Sequence, residues 1–410
     1  MGRAPDPRTE KQLYEDLSRH DARQEREGSA QDCLALGVLL RARGQHKQAE
    51  DRLRRALVLG AGLRKQQYVA AAYRELGLLF EIQGDIGQAR YNLQEAMTEY
   101  RRLSDEAGMA DVLGCLGFLS QVDGRLDEAE DFHRRALAEH ERLGGPLERA
   151  EDLGNLANLC TLRGRSQEAE QFHWQALSLY QAAGEAKGIG AQLRGLAEVW
   201  LQRGETGRAE EALKESLAHH RTAGNPLGMA LALCGLARIL EARQQVVEAA
   251  GLHRQALALF TQAGHRPHVA ATRECLAGIH GTLGDWEASC AELEEALAAY
   301  DEMGTRSAVA RVCRRLAEAC VRLGAGQEDR AQELYERALG LYQELGDEAG
   351  KGRVFAGLGN MESKRGNADQ ATGYWTMAAD LLRRAGYEEQ AVEVERGLRQ
   401  VRVGGHVRVA

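Results

Sequence analysis

The chain repeats one pattern of small residues at an interval of 40 residues, and this interval restricts the fold more than any other feature. Five residues after each expected turn position comes Ala or Ser, and seven residues further comes another small residue, as in Ala169 and Ala176. Self-similarity at such a period is typical of a solenoid, in which stacked units bury faces that none could bury alone. The turn positions, interrupted by Gln244 and shifted by two inserted residues near Gly324, are Gly44, Gly84, Gly124, Gly164, Gly204, Gly284, Gly326 and Gly366.

Each unit contains two apolar stripes separated by a turn glycine, which predicts a helical hairpin. Around Gly164, the first stripe is Leu153, Leu156, Leu159 and Cys160, and the second is Ala169, Phe172, His173, Ala176, Leu177 and Tyr180. The small residues allow the two helices to approach closely. We therefore expect a bulky side chain at Ala136 or Ala176 to cost about 1–3 kcal/mol through overpacking.

A Leu-Gly or Leu-Ala pair, a turn glycine and a segment such as Ala89–Met97 (ARYNLQEAM) resemble the tetratricopeptide repeat family. The 40-residue unit is similar to the branch that contains the LGN/AGS3-type cell-polarity adaptors and the kinesin light chains. The resemblance implies an all-α fold, a right-handed α-solenoid of about nine helix-turn-helix repeats with capping helices. The predicted domains are an N-terminal capping segment (1–30), the solenoid (31–386), and a C-terminal capping helix (387–401) with a basic tail, together 387–410.

Composition argues against several classes of function. The net charge of -8 does not fit a nucleic-acid-binding protein, and without a run of 18 apolar residues no membrane insertion is expected. Eight cysteines without a CxxC pair are interpreted as buried thiols of a cytoplasmic protein. The sequence lacks a phosphate-binding loop and an HExxH motif, so no cofactor, metal or catalytic residue is predicted, and the protein is not expected to be an enzyme.

Three histidines lie at equivalent repeat positions, His133, His173 and His253, where other units carry Leu. Since adjacent repeats are about 10 Å apart, these histidines are predicted to pack in the core rather than to share a metal ion.

The resemblance implies that the first helices line a concave groove that binds a partner. Two positions per first helix, two residues before and two after the recurrent central leucine, vary between units. A surface that recognises a particular ligand would vary in this way, and so would a solvated surface without a function. The candidate partner-binding residues, which include Asn155 because LGN-type helices carry Asn there, are Arg74, Phe118, Asn155, Asn158, Arg194, Glu198, Arg238, Glu274, Arg314, Glu318 and Asn360.

We expect Arg194, Arg238 and Arg314 to bind carboxylates, and the resemblance to LGN-type adaptors implies that Asn158 binds peptide backbone. The predicted partner is a protein or peptide with acidic and apolar portions, held by a non-catalytic adaptor. Two alternatives remain open. One is a peptide-responsive regulatory protein, and the other is a self-assembling scaffold in which Trp286 or Trp375, if exposed, would form the contact.

Overall fold

The computed structural model describes residues 8–324 and 326–406, and within these ranges all regular structure is helical. The predicted all-α class is therefore confirmed. The helices are α1 Glu10–Ala22, α2 Arg26–Ala42, α3 His46–Gly62, α4 Gln66–Gln83, α5 Ile86–Leu103, α6 Glu106–Val122, α7 Leu126–Leu143, α8 Pro146–Leu162, α9 Ser166–Ala183, α10 Ala186–Gln202, α11 Thr206–Thr222, α12 Pro226–Ala242, α13 Val246–Gln262, α14 Arg266–Thr282, α15 Trp286–Glu302, α16 Arg306–Leu323, α17 Glu328–Leu345, α18 Glu348–Arg365, α19 Ala368–Arg384 and α20 Glu388–His406.

The chain forms two compact units, unit 1 (Met1–His268) and unit 2 (Val269–Ala410). In unit 1, even-numbered helices from α2 to α12 each pair with the following helix as an antiparallel hairpin, and successive hairpins stack. Within unit 2, the hairpins are α16/α17 and α18/α19. In both units the even-numbered helix is the first helix of its hairpin, as the repeat pattern predicts.

The turn positions of the repeat adopt the left-handed conformation that favours glycine. Gly164 has φ 71° and Gly204 has φ 77°. At Gln244, where the glycine pattern is interrupted, the backbone still has φ 63°. The turn geometry is therefore kept in this unit at the conformational cost that a side chain imposes in this region.

Small residues at the hairpin seam are required by close helix packing. Ala136 and Ala176 are completely buried. A Cβ atom added at Gly117, in first helix α6, would lie 2.7 Å from the His133 ring of α7. The recurrent pairing of a small residue on one helix with a large residue on the other thus follows from steric exclusion.

The prediction that the aligned histidines pack in the core is confirmed. His133, His173 and His253 are at most 1% exposed. His173 Nδ1 lies 2.8 Å from Gln192 Oε1, and His253 Nε2 lies 2.7 Å from the Glu241 carboxylate. Desolvation lowers the pKa of His133 to about 4, so the imidazole ring is uncharged at pH 7.

Three sequence-based expectations about single residues need correction. Cys275 is exposed, although five of the eight cysteines are buried. Neither of the tryptophans proposed as external contacts is exposed: Trp375 is 5% exposed and Trp286 is partly buried. Glycines on neighbouring first helices create the space, since a Cβ at Gly359 would lie 2.5 Å from the Trp375 ring.

The two ends of unit 1's solenoid meet. The turn between α2 and α3 touches the turn after α13, where His46 Nε2 lies 2.8 Å from the Gly264 carbonyl oxygen, 218 residues away. A Cβ atom at Gly44 would lie 2.8 Å from the backbone of Ala263, so only glycine permits this approach. The hairpins of unit 1 therefore curve around a common interior.

The terminal helices differ slightly from expectation. Helix α1 is capped by Thr9, whose hydroxyl accepts the Gln12 backbone N–H while the Gln12 side chain accepts the Thr9 N–H. Helix α20 extends through Gly404 and Gly405 to His406, five residues beyond the predicted end, because glycine disfavours a helix without forbidding it. The last residues of the predicted basic tail, 407–410, lie outside the described residues. None of the described helices is long and apolar enough to span a bilayer.

Candidate binding surface in unit 1

Residues on the first helices of unit 1 are reached by solvent and yet strongly desolvated. Glu151 on α8 is exposed, but desolvation is the main reason why its pKa is raised. Glu81 on α4 is partly buried, and desolvation raises its pKa to about 7. A side chain that is open to water and surrounded by protein at longer range lies on a concave surface. We call this surface, formed by α4, α6, α8 and α10, the inner face.

Arg194 on α10 is the most distinctive residue of the inner face. Its side chain is partly exposed, and desolvation lowers its pKa despite the opposing effect of Glu198, one helical turn away. Among the described residues, it forms no hydrogen bond or ion pair at bonding distance. Arg194 is thus a guanidinium that has lost part of its hydration and gained no carboxylate in return.

The surroundings of Arg194 do not neutralise it. Desolvation is the main reason why the pKa values of His173, His220 and His268 are lowered, to about 4, about 4 and about 3, and the positive charge of Arg194 contributes to each. At pH 7 all three rings are therefore neutral. The local charge around Arg194 is positive, which favours an anionic group of a ligand.

A series of alternating cationic and anionic side chains lies beside the inner face. It includes Arg74, one of the predicted binding residues. Arg74 binds Asp111 at 2.6 Å and Glu75 at 3.0 Å, and Glu75 also binds a guanidinium from α2 at 2.8 Å. His140 Nδ1 is 2.6 Å from Asp152 and its Nε2 is 3.6 Å from Asp111. The members in order are Arg41, Glu75, Arg74, Asp111, His140 and Asp152.

His140 is the imidazolium of this series. Desolvation would lower its pKa, but the hydrogen bond with Asp152 and the negative charges of Asp111 and Asp152 outweigh that effect and raise the pKa to about 9. The pKa of Asp152 is also raised, because desolvation of its buried carboxyl outweighs the hydrogen bond from His140. Arg74 and His140 thus connect consecutive hairpins through buried charges.

The structure places the other predicted residues of unit 1 as follows. The Arg238 guanidinium on α12 donates to the Glu198 carboxylate on α10, in the preceding hairpin, at 2.7 and 3.3 Å. Phe118 is 39% exposed on α6. Asn155 and Asn158 are partly buried on α8, one hairpin before Arg194. Arg194, Asn155 and Asn158 are therefore the polar candidates of unit 1 whose side chains are not already held by an ion pair.

Four predicted residues belong to unit 2. Glu274 is buried and binds Arg311 at 2.8 Å and Arg315 at 3.1 Å. Arg314 forms an ion pair with Glu318 on its own helix. Asn360 accepts a hydrogen bond of 3.1 Å from Trp375 Nε1.

Sequence analysis missed Glu81 and Glu151 as members of the inner face. Relative to the central leucines Leu76 and Leu156, these residues are at +5 and -5. Those offsets share a helix face with the -2 and +2 positions, because residues three and four apart are neighbours on a helix. Extending the two chosen positions by this rule would have found them. In the described residues, no group of three His, Cys, Asp or Glu side chains is placed to hold a metal ion.

Comparison with known proteins supports the repeat type and the fold. A model of the tetratricopeptide repeat family matches residues 108–182, which include α7 and α8. No curated protein matches the chain.

Several solved structures resemble this one at low sequence identity, which shows the fold alone. A Rap protein complexed with Competence and Sporulation Factor has a TM-score of 0.57 and 15% identity, covering 92% of this chain and 98% of its own. The apo form of the quorum sensor NprR from B. thuringiensis has a TM-score of 0.56 and 15% sequence identity, and the match covers 87% of this chain and 99% of NprR. A STAND ATPase with a tetratricopeptide repeat sensor, from Pyrococcus horikoshii, has a TM-score of 0.60 and 12% sequence identity. The match covers 84% of this chain and 54% of the ATPase. The chain has the fold of a tetratricopeptide repeat solenoid.

Proposed function

We propose that the protein is a non-catalytic adaptor whose inner face binds an acidic segment of a partner protein or peptide. The observation that carries the proposal is Arg194, a desolvated guanidinium without a carboxylate among the described residues. A ligand carboxylate would supply two parallel hydrogen bonds in a site already partly stripped of water. Asn158, one hairpin away, has an amide that can bind the backbone of the same segment.

The proposed architecture is the one expected from the sequence: about nine right-handed repeats over 31–386, flanked by capping segments 1–30 and 387–410. The 40-residue interval supports the LGN/AGS3-type and kinesin-light-chain-type branch. Eight free cysteines support a cytoplasmic location.

A peptide-responsive regulator is the second candidate function. Two structures of similar fold, which match this chain over nearly their whole length, are a quorum sensor and a Rap protein in complex with a factor. In that case, occupation of the inner face would change the contact between His46 and Gly264 at the ends of unit 1.

Selection from a library of displayed peptides tests the proposal. The selected peptides should share an acidic residue or depend on a free terminal carboxylate. Charge-assisted hydrogen bonds contribute about 1.5–3 kcal/mol, so Arg194→Gln should weaken binding about 10- to 100-fold. Arg254→Gln, an equal charge change at an exposed position on the second helix α13, should leave affinity unchanged. Peptides that bind wild type and Arg194→Gln equally well would rule out the proposed site.

A further inference from the structure

Two cysteines of unit 2 lie against each other in its core, and the proposed function uses neither of them. Cys290 lies on α15 and Cys320 on α16, two helices that pack against each other. Cys320 is completely buried, and Cys290 is 6% exposed. Their side chains form a hydrogen bond with each other, so the two sulfur atoms are in contact. The fold therefore brings together two thiols that can form a covalent bond.

The contact follows from the way in which successive hairpins stack. Glu170 and Trp200 occupy the equivalent positions in unit 1, and Trp200 Nε1 donates to a Glu170 carboxylate oxygen at 3.0 Å. In both pairs the two residues are 30 positions apart. Stacking of one hairpin on its predecessor thus places these two side chains together, whichever residues occupy the positions.

Cysteine at position 290 departs from the repeat pattern. Equivalent positions in the preceding second helices carry Glu50, Arg90, Glu130, Glu170, Glu210 and Ala250. The position of Cys320 is occupied in other first helices by residues as different as Phe80, Ser120 and Trp200. In the sequence, no other unit has cysteine at both positions. The thiol pair is thus particular to the junction between α15 and α16.

The groups around the pair favour a thiolate at Cys320. The hydrogen bond with Cys290 lowers the pKa of Cys320 more than desolvation raises it, and the same bond raises the pKa of Cys290. Arg330 on α17 also lowers the pKa of Cys320, while Glu294 on α15 opposes this effect. Because Glu294 is ion-paired with Arg330, part of its charge is neutralised. A thiolate is the nucleophile in thiol oxidation, so Cys320 is the sulfur that reacts first.

We propose that a peroxide oxidant converts Cys290 and Cys320 into a disulfide that clamps α15 to α16. The Cys320 thiolate attacks one oxygen of hydrogen peroxide, expels hydroxide and becomes a sulfenic acid. The Cys290 sulfur then attacks the Cys320 sulfur, which forms the S–S bond and releases the sulfenic oxygen as water. The hydroxide takes up the proton that Cys320 had lost. Two thiols thereby lose two electrons, and one hydrogen peroxide becomes two molecules of water.

Access to the buried pair depends on local opening. Cys320 lies in the last turn of α16, which ends at Leu323. Helix ends open at a much lower free energy than the core of a domain, so a small oxidant reaches Cys320 without global unfolding. Burial therefore makes the oxidation slow but does not prevent it.

The disulfide acts on the packing between successive hairpins. It closes a loop from residue 290 to residue 320, and such a crosslink restricts the open states of the segment that it encloses. Since the curvature of a solenoid depends on the rotation between neighbouring repeats, the crosslink fixes α15 on the hairpin α16/α17. Disulfides in the reducing cytoplasm are usually transient and redox-sensing, which fits a clamp of this kind. The pair lies wholly in unit 2, so it stands or falls independently of the Arg194 site in unit 1.

Peptide mapping of the full chain after treatment with hydrogen peroxide tests the proposal. The protein is first reduced completely and freed of reductant, and after oxidation it is alkylated and digested without reduction. We expect wild type to yield peptides joined through Cys290 and Cys320, and dithiothreitol to separate them.

Two variants distinguish this crosslink from general oxidation. Cys290→Ala, a residue that the equivalent Ala250 shows to be tolerated, should abolish the crosslink and leave Cys320 as a sulfenic acid that dimedone labels. The matched control Cys313→Ala removes another completely buried thiol from α16 and should form the crosslink as wild type does. A crosslink that persists in Cys290→Ala would overturn the assignment of the pair.

Hydrogen exchange measures the clamp itself. Amides of α15 and α16 should exchange at least about tenfold more slowly in crosslinked wild type than in reduced wild type, because the crosslink restricts their open states. Cys290→Ala treated with the same peroxide should show no such slowing. Equal exchange rates in crosslinked and reduced wild type would overturn the proposed clamp.

The same samples contain controls for oxidant and for access. Oxidation of the exposed Cys275 shows that the peroxide dose is sufficient. Exchange of the Cys320 backbone amide shows that the end of α16 has opened. The proposal is overturned if Cys290 and Cys320 remain unlinked in wild type after both events.

Discussion

The His140–Asp152 pair should make the stability of unit 1 fall as pH rises above neutrality. The perturbation that isolates this effect is His140→Phe/Asp152→Val. Equivalent positions in other hairpins already carry these apolar residues, Phe260 and Val112. The double variant therefore removes both charges without leaving a buried carboxylate unpaired.

The direction and size of the effect follow from the pKa of His140. Its folded-state pKa, about 9, lies above the ordinary value of 6.5. The stabilisation is therefore fully present below about pH 6.5 and is lost as pH rises through about 9. A shift of this size corresponds to at most about 3 kcal/mol. We expect about 1–3 kcal/mol, because the raised pKa of Asp152 shows that desolvation offsets part of the attraction.

Urea unfolding followed by circular dichroism, at about pH 6 and about pH 9.5, measures this loss. Long repeat arrays can depart from two-state unfolding, so hydrogen exchange of α7 and α8 provides a local second readout. The loss in wild type should exceed the loss in His140→Phe/Asp152→Val by the stated amount. Because other groups titrate in both proteins, this difference isolates the pair. Equal losses in the two proteins would refute the assignment of His140 as a buried imidazolium.

Two further predictions concern packing and backbone. Ala176→Phe should lower the free energy of unfolding by about 1–3 kcal/mol, because Ala176 is completely buried where the two helices of a hairpin pack closely. The control Ala218→Phe, at an exposed position on a second helix, should change the free energy of unfolding little. Equal urea midpoints for the two variants would contradict the close packing at Ala176. Gln244→Gly should raise the free energy of unfolding by about 0.5–1 kcal/mol, because glycine relieves the cost of φ 63° at a slight entropic penalty. Thermal unfolding measures it, and a lower midpoint would show that the Gln244 side chain stabilises the turn.

The sequence determined the hairpin fold because that fold depends on local, periodic information. Gly164 marks a turn, and the interval from Ala169 to Ala176 marks a helix face, whichever unit they occupy. Steric exclusion at the seam acts between neighbours in the chain, so a repeated pattern is sufficient to predict it. The burial of His133 followed for the same reason, since an equivalent position carries Leu.

Charge pairing was decided by tertiary structure. Arg194 and Arg314 lie two residues before the central leucine of their helices and Arg238 lies two residues after it, and each is a surface cation by type. Folding brings Glu198 to Arg238, supplies Glu318 to Arg314 within one helix, and leaves Arg194 without a bonded carboxylate. Which cation remains available depends on side-chain positions across hairpins, and no periodicity encodes those positions.

The thiol pair of unit 2 and the closure of unit 1 were likewise outside the reach of the sequence. Cys320 is one cysteine among eight, and only its contact with Cys290 shows that the two thiols can react with each other. The contact of His46 with Gly264 joins residues 218 positions apart. It depends on the small rotation between successive hairpins, accumulated over the whole unit. Local patterns therefore specify each hairpin, whereas the accumulated geometry decides which surfaces are enclosed and which charges remain free to bind.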